Sequence, residues 1–186
     1  GLFRGCQSPY HVRGFGGRVG ESDTSGEVVA PLDSLALNLI ILVPFLGALA
    51  LVLVPSSWPN AVRGTATVVT SFALILSIYL AVRYYLLSPP PEEFWLLQSY
   101  QWLPKIGISF QLGMDGISAL MILLNGIVAI GGTLIAWNVG YRNKDFYILF
   151  LLLITGVFGV FVSLDLFFLF FFYELAVIPM YLLIGV

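Results

Sequence analysis

The pattern of apolar and polar positions divides the chain into five long apolar windows separated by more polar stretches. About 20 apolar residues in a helix span the hydrocarbon core of a bilayer, which is about 30 Å thick. The predicted transmembrane helices cover residues 35–54, 64–87, 117–139, 146–164 and 166–186. A β-barrel would need many shorter segments of alternating polarity, which are absent. The predicted fold class is therefore all-α, an integral membrane helical bundle with five transmembrane helices.

Composition narrows the class of protein further. Apolar residues make up 59% of the 186 residues and charged residues 10%, with a mean hydropathy of +0.98. Soluble domains carry about 25% charged and under about 50% apolar residues. These values exclude a water-soluble enzyme and a disordered chain. Membrane lipids are the surroundings that the composition implies, and no nucleic-acid partner is expected.

Two parts of the chain are expected to differ in order. Residues 1–34 are rich in glycine and serine and are predicted to be a flexible N-terminal extension, whereas 35–186 form the five-helix membrane domain. The first half of the extension carries Arg4, Arg13 and Arg18 and no acid, which is typical of the end of an organelle transit peptide. A plain disordered tail remains the alternative interpretation.

The loops and helix ends hold most of the charge. Residues 88–116, with Trp95 and Trp102, are predicted to lie on the membrane surface. Arg83, near the end of the second helix, is predicted to extend its charge towards the interface. A slight excess of basic residues favours placing the loop of Arg142 and Lys144 on the inner face of the membrane.

Glu174 is the charged residue that lies neither in a loop nor at a helix end. It is about eight residues into the fifth helix, or about 12 Å along its axis. A charge at that depth costs at least about 2.5–3.5 kcal/mol, so such residues are kept when they are paired, hydrated or used for ion transfer. Glu174 is predicted to take part in proton translocation. The alternative is an inert, protonated hydrogen-bonding group. The sequence offers it no cationic partner, so a partner is expected from another polypeptide or a segment that this chain lacks.

Other polar and small residues have structural interpretations. Asp115 is predicted to cap the third helix, Asp165 to end the turn between helices four and five or to cap the fifth helix, and Asn125 to make an interhelical hydrogen bond. Close helix packing is predicted at Gly126, Gly131, Gly132, Gly156 and Gly159. There is no Cys or His cluster, Walker motif or dinucleotide fingerprint, so no metal, cofactor or redox chemistry is expected in this chain.

Several segments resemble the antiporter-like subunits of respiratory complex I, and most closely subunit 4 of NADH dehydrogenase (the bacterial M subunit). They are Gln111–Ser118, Ala136–Asn138, Gly156–Phe161, Ser163–Leu166 and, most specifically, Phe172–Gly185. The resemblance is good over residues 107–186 and loose, by helix count, over 35–106. Residues 1–34 show no such resemblance.

The resemblance implies that the chain is the N-terminal portion of a subunit of about fourteen helices. Glu174 takes the place of the family's fifth-helix glutamate, which pairs with a lysine on a later, broken helix and modulates proton transfer. The chain stops at Val186, so either a separate polypeptide supplies the remaining helices or the sequence is truncated; the split subunit is favoured. Implied partners are those helices, the subunit 2-like and subunit 5-like antiporter subunits, and accessory subunits of complex I.

These observations leave hypotheses of different classes. The first is a membrane-arm subunit of the proton-translocating NADH:ubiquinone reductase in the mitochondrial inner membrane, with no redox chemistry of its own. The second is a cation/proton antiporter or membrane-hydrogenase relative, or a plastid counterpart of complex I. The third is a purely structural membrane subunit in which Glu174 only makes hydrogen bonds.

Overall fold

The computed structural model describes residues 31–55, 58–87, 95–103, 108–138 and 143–185. It contains five helices: α1 (Pro31–Leu53), α2 (Pro59–Leu87), α3 (Gly116–Ile135), α4 (Asn143–Val162) and α5 (Leu166–Gly185). A short 3-10 turn, Ala136–Asn138, continues α3. All five helices are long and apolar enough to cross a membrane, which confirms the predicted five-helix bundle. Most of the predicted N-terminal extension, residues 1–30, lies outside the described residues.

The first two helices begin earlier than the apolar windows predicted. α1 begins at Pro31 rather than at residue 35, and α2 begins at Pro59 rather than at residue 64. Proline suits the first turn of a helix, where its missing N–H has no intrahelical partner to lose. Asp33, which the sequence analysis placed in the extension, therefore lies in the first turn of α1. Helical backbone continues beyond the purely apolar stretch because hydrogen bonding within the helix does not depend on side-chain polarity.

Helix α4 lies at the centre of the bundle. It packs against α1 and α5 most extensively and also contacts α2 and α3, while α2 packs between α1 and α3. The helix α5 packs chiefly on α4 and is the least buried of the five. Successive helices run in opposite directions, so α1, α3 and α5 begin at the same end of the bundle.

A β-hairpin, which the sequence analysis did not predict, covers that end of the bundle. Strand β1 (Trp95–Leu103) pairs antiparallel with β2 (Ile108–Met114), with a bulge near Leu96, whose φ is 60°. We call this end the hairpin end. Strand β1 gives no strand signal, because it begins with consecutive apolar residues and buries both Trp95 and Leu96. Strand β2 does alternate, with Phe110, Leu112 and Met114 at every second position, and this alternation was the signal that could have identified the hairpin.

The hairpin also ties the α4–α5 turn to the bundle. The backbone N–H of Leu164 donates to the carbonyl oxygen of Gln111 at 3.0 Å, and Leu112 forms an isolated bridge with Ser163. The short turn between Val162 and Leu166 and the packing of Gly156 and Gly159 against α5 confirm the predicted antiparallel hairpin of helices four and five. The hydrogen bond from Leu164 to Gln111 additionally fixes this turn to β2.

Small residues allow the helices to approach closely at four of the five predicted positions. A Cβ atom added at Gly156 would lie 2.7 Å from the backbone nitrogen of Ala176, so only glycine fits between α4 and α5 there. Similarly close neighbours confirm the prediction for Gly126, Gly132 and Gly159. The prediction for Gly131 is wrong, because no atom would lie within 4 Å of a Cβ at that position.

Candidate functional site

The close packing of α5 on α4 determines which way Glu174 faces. Phe172, Ala176 and Pro179 form the buried side of α5. At about 100° per residue, Glu174 lies about 200° around the helix from Phe172, on the opposite side. The Glu174 side chain is accordingly exposed, on a face that the other described helices leave uncovered.

No described residue gives Glu174 a hydrogen bond or an ion pair. Lys144, which is the nearest lysine in sequence, lies in the first turn of α4 and donates to the carbonyl oxygen of Val52 instead. A cation that pairs with Glu174 therefore has to come from outside the described residues, in line with the expectation from sequence. The predicted role of Glu174 itself stays a prediction.

A groove of about 400 Å³ runs beside this helix, between α1, β2, α4 and α5. Its walls are mainly apolar and include Phe45, Phe110, Phe172 and Leu175. Its two polar residues already have partners, since Thr155 donates to the Leu151 carbonyl and the Asn38 amide donates to Ser34 and Gln98. The groove suits hydrocarbon or apolar side chains and lacks free polar groups to carry a proton.

A charged cluster that sequence reasoning missed joins α1 to α2 at the hairpin end. The Asp33 side chain is 0% exposed, and the Arg83 side chain is 31% exposed. Arg83 Nη2 donates to Asp33 Oδ2 at 2.6 Å, and Nε donates to Oδ1 at 3.2 Å. The Tyr79 hydroxyl donates to the same Oδ1 at 2.7 Å.

This cluster corrects the sequence-based interpretation of Arg83. Arg83 extends towards Asp33 and forms a two-contact ion pair, rather than simply reaching for the interface. The signal that could have identified the pair is the spacing of Tyr79 and Arg83, four residues apart on one face of α2. The partner was hidden because Asp33 precedes the apolar window of α1 by two residues.

The same end carries the contacts that hold β1 to α1. The Gln98 side chain accepts from the Asn38 amide at 2.9 Å and donates to the Ser34 carbonyl at 3.1 Å. Asn38 also donates to the Ser34 carbonyl, at 3.0 Å. The hairpin is thus fixed to the helix that carries Asp33 by neutral hydrogen bonds.

The remaining polar predictions concern helix ends and one interhelical bond. Ser118 N–H donates to Asp115 Oδ1 at 2.7 Å, which confirms the cap of α3, and hydrogen bonding by Ser118 lowers the pKa of the Asp115 carboxyl. Phe167 N–H donates to Asp165 Oδ1 at 2.8 Å, so Asp165 caps α5. The Asn125 amide donates across to the Ile154 carbonyl at 3.5 Å. These side chains are occupied by structural roles.

The described residues include no group of three His, Cys, Asp or Glu side chains placed to hold a metal ion. The carboxylates that are described lie apart, at the hairpin end, at the opposite end and on α5. The candidate site is therefore a single ionisable residue, Glu174, on an apolar helix.

Comparison with known proteins identifies the family. The chain is 38% identical over 151 residues to NADH-quinone oxidoreductase subunit M of Pseudomonas aeruginosa, covering 78% of this chain and 30% of that protein. It belongs to the subunit M (chain 4) family of quinone oxidoreductases. Within the family, it is 36% identical over 149 residues to the chloroplastic NAD(P)H-quinone oxidoreductase chain 4 of Chara vulgaris, covering 80% of this chain and 30% of that protein.

The fold is also found in a solved structure. A chain of the membrane-bound sulfane sulfur reductase, an archaeal respiratory membrane complex, matches with a TM-score of 0.62 and 21% identity, over 82% of this chain and 30% of that chain. No family model matches the sequence. The chain spans less than a third of the length of the relatives of the family described above.

Proposed function

We propose that the chain is a membrane-arm subunit of a proton-translocating NADH:ubiquinone oxidoreductase. In this proposal it contributes Glu174 to proton translocation, while NADH oxidation and quinone reduction take place on other subunits. The observation that carries the proposal is the position of Glu174 on an apolar, membrane-length helix, on the face that the described helices leave uncovered. Membership in the subunit M family supports the assignment to such a complex.

The chemistry needed from Glu174 is proton exchange. Hydrocarbon disfavours the charged form of a carboxyl group, and a nearby cation favours it. A carboxyl group in a membrane interior therefore takes up or releases a proton when a cationic partner moves relative to it. Because no described residue is paired with Glu174, such a partner can approach without displacing one of them.

The proposed partners follow from the length of the relatives. The chain covers 30% of the subunit M relative, so further helices of the same subunit are proposed to lie against α5, from this or another polypeptide. Subunit 2-like and subunit 5-like antiporter subunits and accessory subunits of complex I are the other proposed partners. A lysine from the further helices is proposed to face Glu174.

The proposed location is the mitochondrial inner membrane, in which the chain crosses several times. Arg4, Arg13 and Arg18, in a stretch free of acidic residues, support an organelle address. The alternative is a plastid counterpart, which the chloroplastic relative from Chara vulgaris favours. Fractionation of organelles followed by detection of this chain separates the two: enrichment with plastid membranes would contradict the mitochondrial location.

The central experiment replaces Glu174 in the assembled complex and measures protons translocated per NADH oxidised. Glu174→Gln keeps the size of the side chain but cannot bind and release a proton, so we expect a clear loss of coupled pumping. Glu174→Ala is expected to show the same loss. Unchanged pumping in both variants would assign Glu174 a purely structural role.

Asp165→Asn is the matched control for that experiment. It removes a carboxylate from the same α4–α5 unit, and asparagine caps a helix about as well as aspartate does. We expect pumping to remain at the wild-type level. A structure of the assembled complex tests the mechanism separately. The proposed mechanism is wrong if no lysine lies within ion-pair distance of Glu174 in that structure.

A further inference from the structure

The helix α2 carries two arginines that bracket the thickness of a membrane. Arg63 and Arg83 are separated by 20 residues, which at 1.5 Å per residue is about 30 Å, the thickness of a bilayer's hydrocarbon core. Both guanidinium groups therefore lie near an edge of the apolar layer. Arg83 is neutralised at the hairpin end by Asp33, whereas Arg63 lies at the opposite end, which we call the Arg63 end.

Arg63 is half-buried but makes no side-chain hydrogen bond with any described residue. Its Nε is inaccessible to solvent and without an acceptor. A guanidinium presents five N–H donors, and leaving buried donors unpaired costs about 1–3 kcal/mol, more for charged groups. The Arg63 side chain thus lacks the oxygen acceptor that Arg83 has.

A second cation, Lys144, lies at the same end of the bundle, in the first turn of α4. Helices α2 and α4 contact each other, and both begin at the Arg63 end, with Arg63 and Lys144 in their first two turns. Lys144 Nζ donates to the Val52 carbonyl at 2.9 Å, which leaves further donors on the ammonium group. Trp58, 65% exposed, precedes α2 at the same end and is typical of a residue at a membrane interface.

The two ends of the described bundle differ in charge. The Arg63 end carries Arg63, Lys144 and Asp145, and Asp145 has an interaction of its own. The hairpin end carries Asp33, Arg83, Asp115 and Asp165, so acids predominate there. An excess of basic residues is typical of the inner side of a membrane protein, which faces an anionic lipid leaflet.

An apolar groove of about 100 Å³ continues from Lys144 towards the middle of the bundle. It lies between α1 and α4 and is lined by Phe45, Ala48, Leu49, Val52, Ile148 and Leu152. Lys144 bonds to Val52 at one end of this groove and lies one turn before Ile148. Lys144 and the groove therefore adjoin, so a charged position at the edge of the membrane is followed by an apolar groove that runs inwards.

We propose that Arg63 and Lys144 bind the phosphate of an anionic phospholipid, and that part of one of its acyl chains lies in the groove between α1 and α4. The phosphate oxygens accept from the terminal guanidinium nitrogens of Arg63, since its Nε is enclosed by the protein, and guanidinium and ammonium groups are the usual protein partners of phosphate. A free phosphate ion would satisfy the same donors. The apolar groove favours the lipid, because only a lipid fills both parts of the site.

Photo-crosslinking in membranes that carry the complete complex tests the proposal. The probes are phosphatidylglycerol and phosphatidylcholine analogues with a photoreactive group in the acyl chain, and labelled peptides are identified by mass spectrometry. We expect phosphatidylglycerol to label the segments 45–52 and 148–152 several-fold more than phosphatidylcholine does. Equal labelling by the two lipids would overturn the proposal.

Variants locate the selectivity on the two cations. Arg63→Gln with Lys144→Gln should reduce labelling by phosphatidylglycerol several-fold to the phosphatidylcholine level, whereas Arg63→Lys with Lys144→Arg keeps both charges and should keep the preference. If the Arg63→Gln, Lys144→Gln variant does not assemble, Lys144→Gln alone is used, because the only bond it loses is the one to the Val52 carbonyl at the end of α1. A partial loss of the preference for phosphatidylglycerol is then expected. A preference that survives charge removal contradicts the proposal.

Competition distinguishes the lipid from a free anion. Inorganic phosphate in millimolar excess should leave the labelling by phosphatidylglycerol largely unchanged, because it offers nothing to the apolar groove. Complete displacement by phosphate would instead identify a free-anion site and would reject the phospholipid as its ligand.

Discussion

Asp33 and Glu174 are both carboxylates on membrane-length apolar helices, but their surroundings are opposite. Asp33 is fully buried and receives three hydrogen bonds from Arg83 and Tyr79. Glu174 is exposed on α5 and receives none from the described residues. The difference shows that an acid in an apolar helix is not by itself a functional signal; the source of its neutralising charge decides what it can do.

The partners of Asp33 explain why it suits a structural role. Both of its oxygens accept hydrogen bonds from Arg83, so protonating either oxygen would disrupt the ion pair. The pair joins α1 to α2 beside the point where Gln98 fixes β1. Asp33 therefore stabilises the hairpin end, whereas Glu174 has no such partner among the described residues.

The largest expected effect comes from breaking the buried pair. Arg83→Met keeps the apolar stem but leaves the buried carboxylate of Asp33 without its cation, and an uncompensated buried charge is strongly destabilising. We expect a marked fall in the temperature at which this chain is lost from the purified complex. Dissociation curves of the wild-type and variant complexes measure the difference, and an unchanged midpoint would show that the pair does not hold α1 to α2.

The double variant Asp33→Asn with Arg83→Met is the control for that experiment. It removes both charges, so no uncompensated charge stays buried, and its loss of stability should be smaller than that of Arg83→Met alone. Additive losses in the double-variant cycle would mean that the two residues stabilise the fold independently.

A smaller effect is expected from Tyr79→Phe. The change removes one hydrogen bond to a charged acceptor, with a distance of 2.7 Å, and such bonds contribute about 1.5–3 kcal/mol. The ion pair remains, so the midpoint of dissociation should fall less than for Arg83→Met. Tyr84→Phe, on the same helix, is a suitable comparison, and an equal shift in both variants would argue against a specific role for the Tyr79 hydroxyl.

The cap of α3 provides an intermediate case, a carboxylate bound by backbone N–H groups. Asp115→Ala should cost about 1 kcal/mol through loss of an N-cap. Because Ser118 lowers the pKa of Asp115, its contribution is complete above the ordinary aspartate range and is lost as the pH falls through the lowered pKa. The difference in stability between wild type and Asp115→Ala should thus stay constant from pH 9 to 6 and become smaller only in acid. A difference that grows in acid would mean that the pKa of Asp115 is raised rather than lowered.

The smallest effect on stability is expected for Glu174→Gln. With no described partner to lose, the change should alter stability by less than about 0.5 kcal/mol, as at other exposed positions. The variant would then lose proton pumping in an intact complex, which separates its role from that of Asp33. Dissociation of the complex on a scale comparable to Arg83→Met would show instead that Glu174 is structural.

The sequence alone determined the membrane class, the number of helices and the unusual position of Glu174. The membrane class and the number of helices follow from the lengths of the apolar windows, and the position of Glu174 follows from its place within one window. Both are local properties of the sequence. Asp115 and Asp165 were predictable as caps for the same reason, since a capping carboxylate and the backbone N–H that donates to it lie within three residues. The family resemblance was likewise visible in short segments such as Phe172–Gly185.

Only the tertiary structure decided the long-range features. The Asp33–Arg83 pair joins residues 50 apart, and Asn38 meets Gln98 across 60 residues, so no local pattern reveals either. The β-hairpin escaped prediction because β1 shows no regular alternation of polarity, and the pairing of β1 with the short, alternating β2 is a contact that only the tertiary structure reveals. Packing also decided that Gly156 is enclosed while Gly131 is open, and that Glu174 faces away from the bundle, because the side of a helix that becomes buried depends on its neighbours.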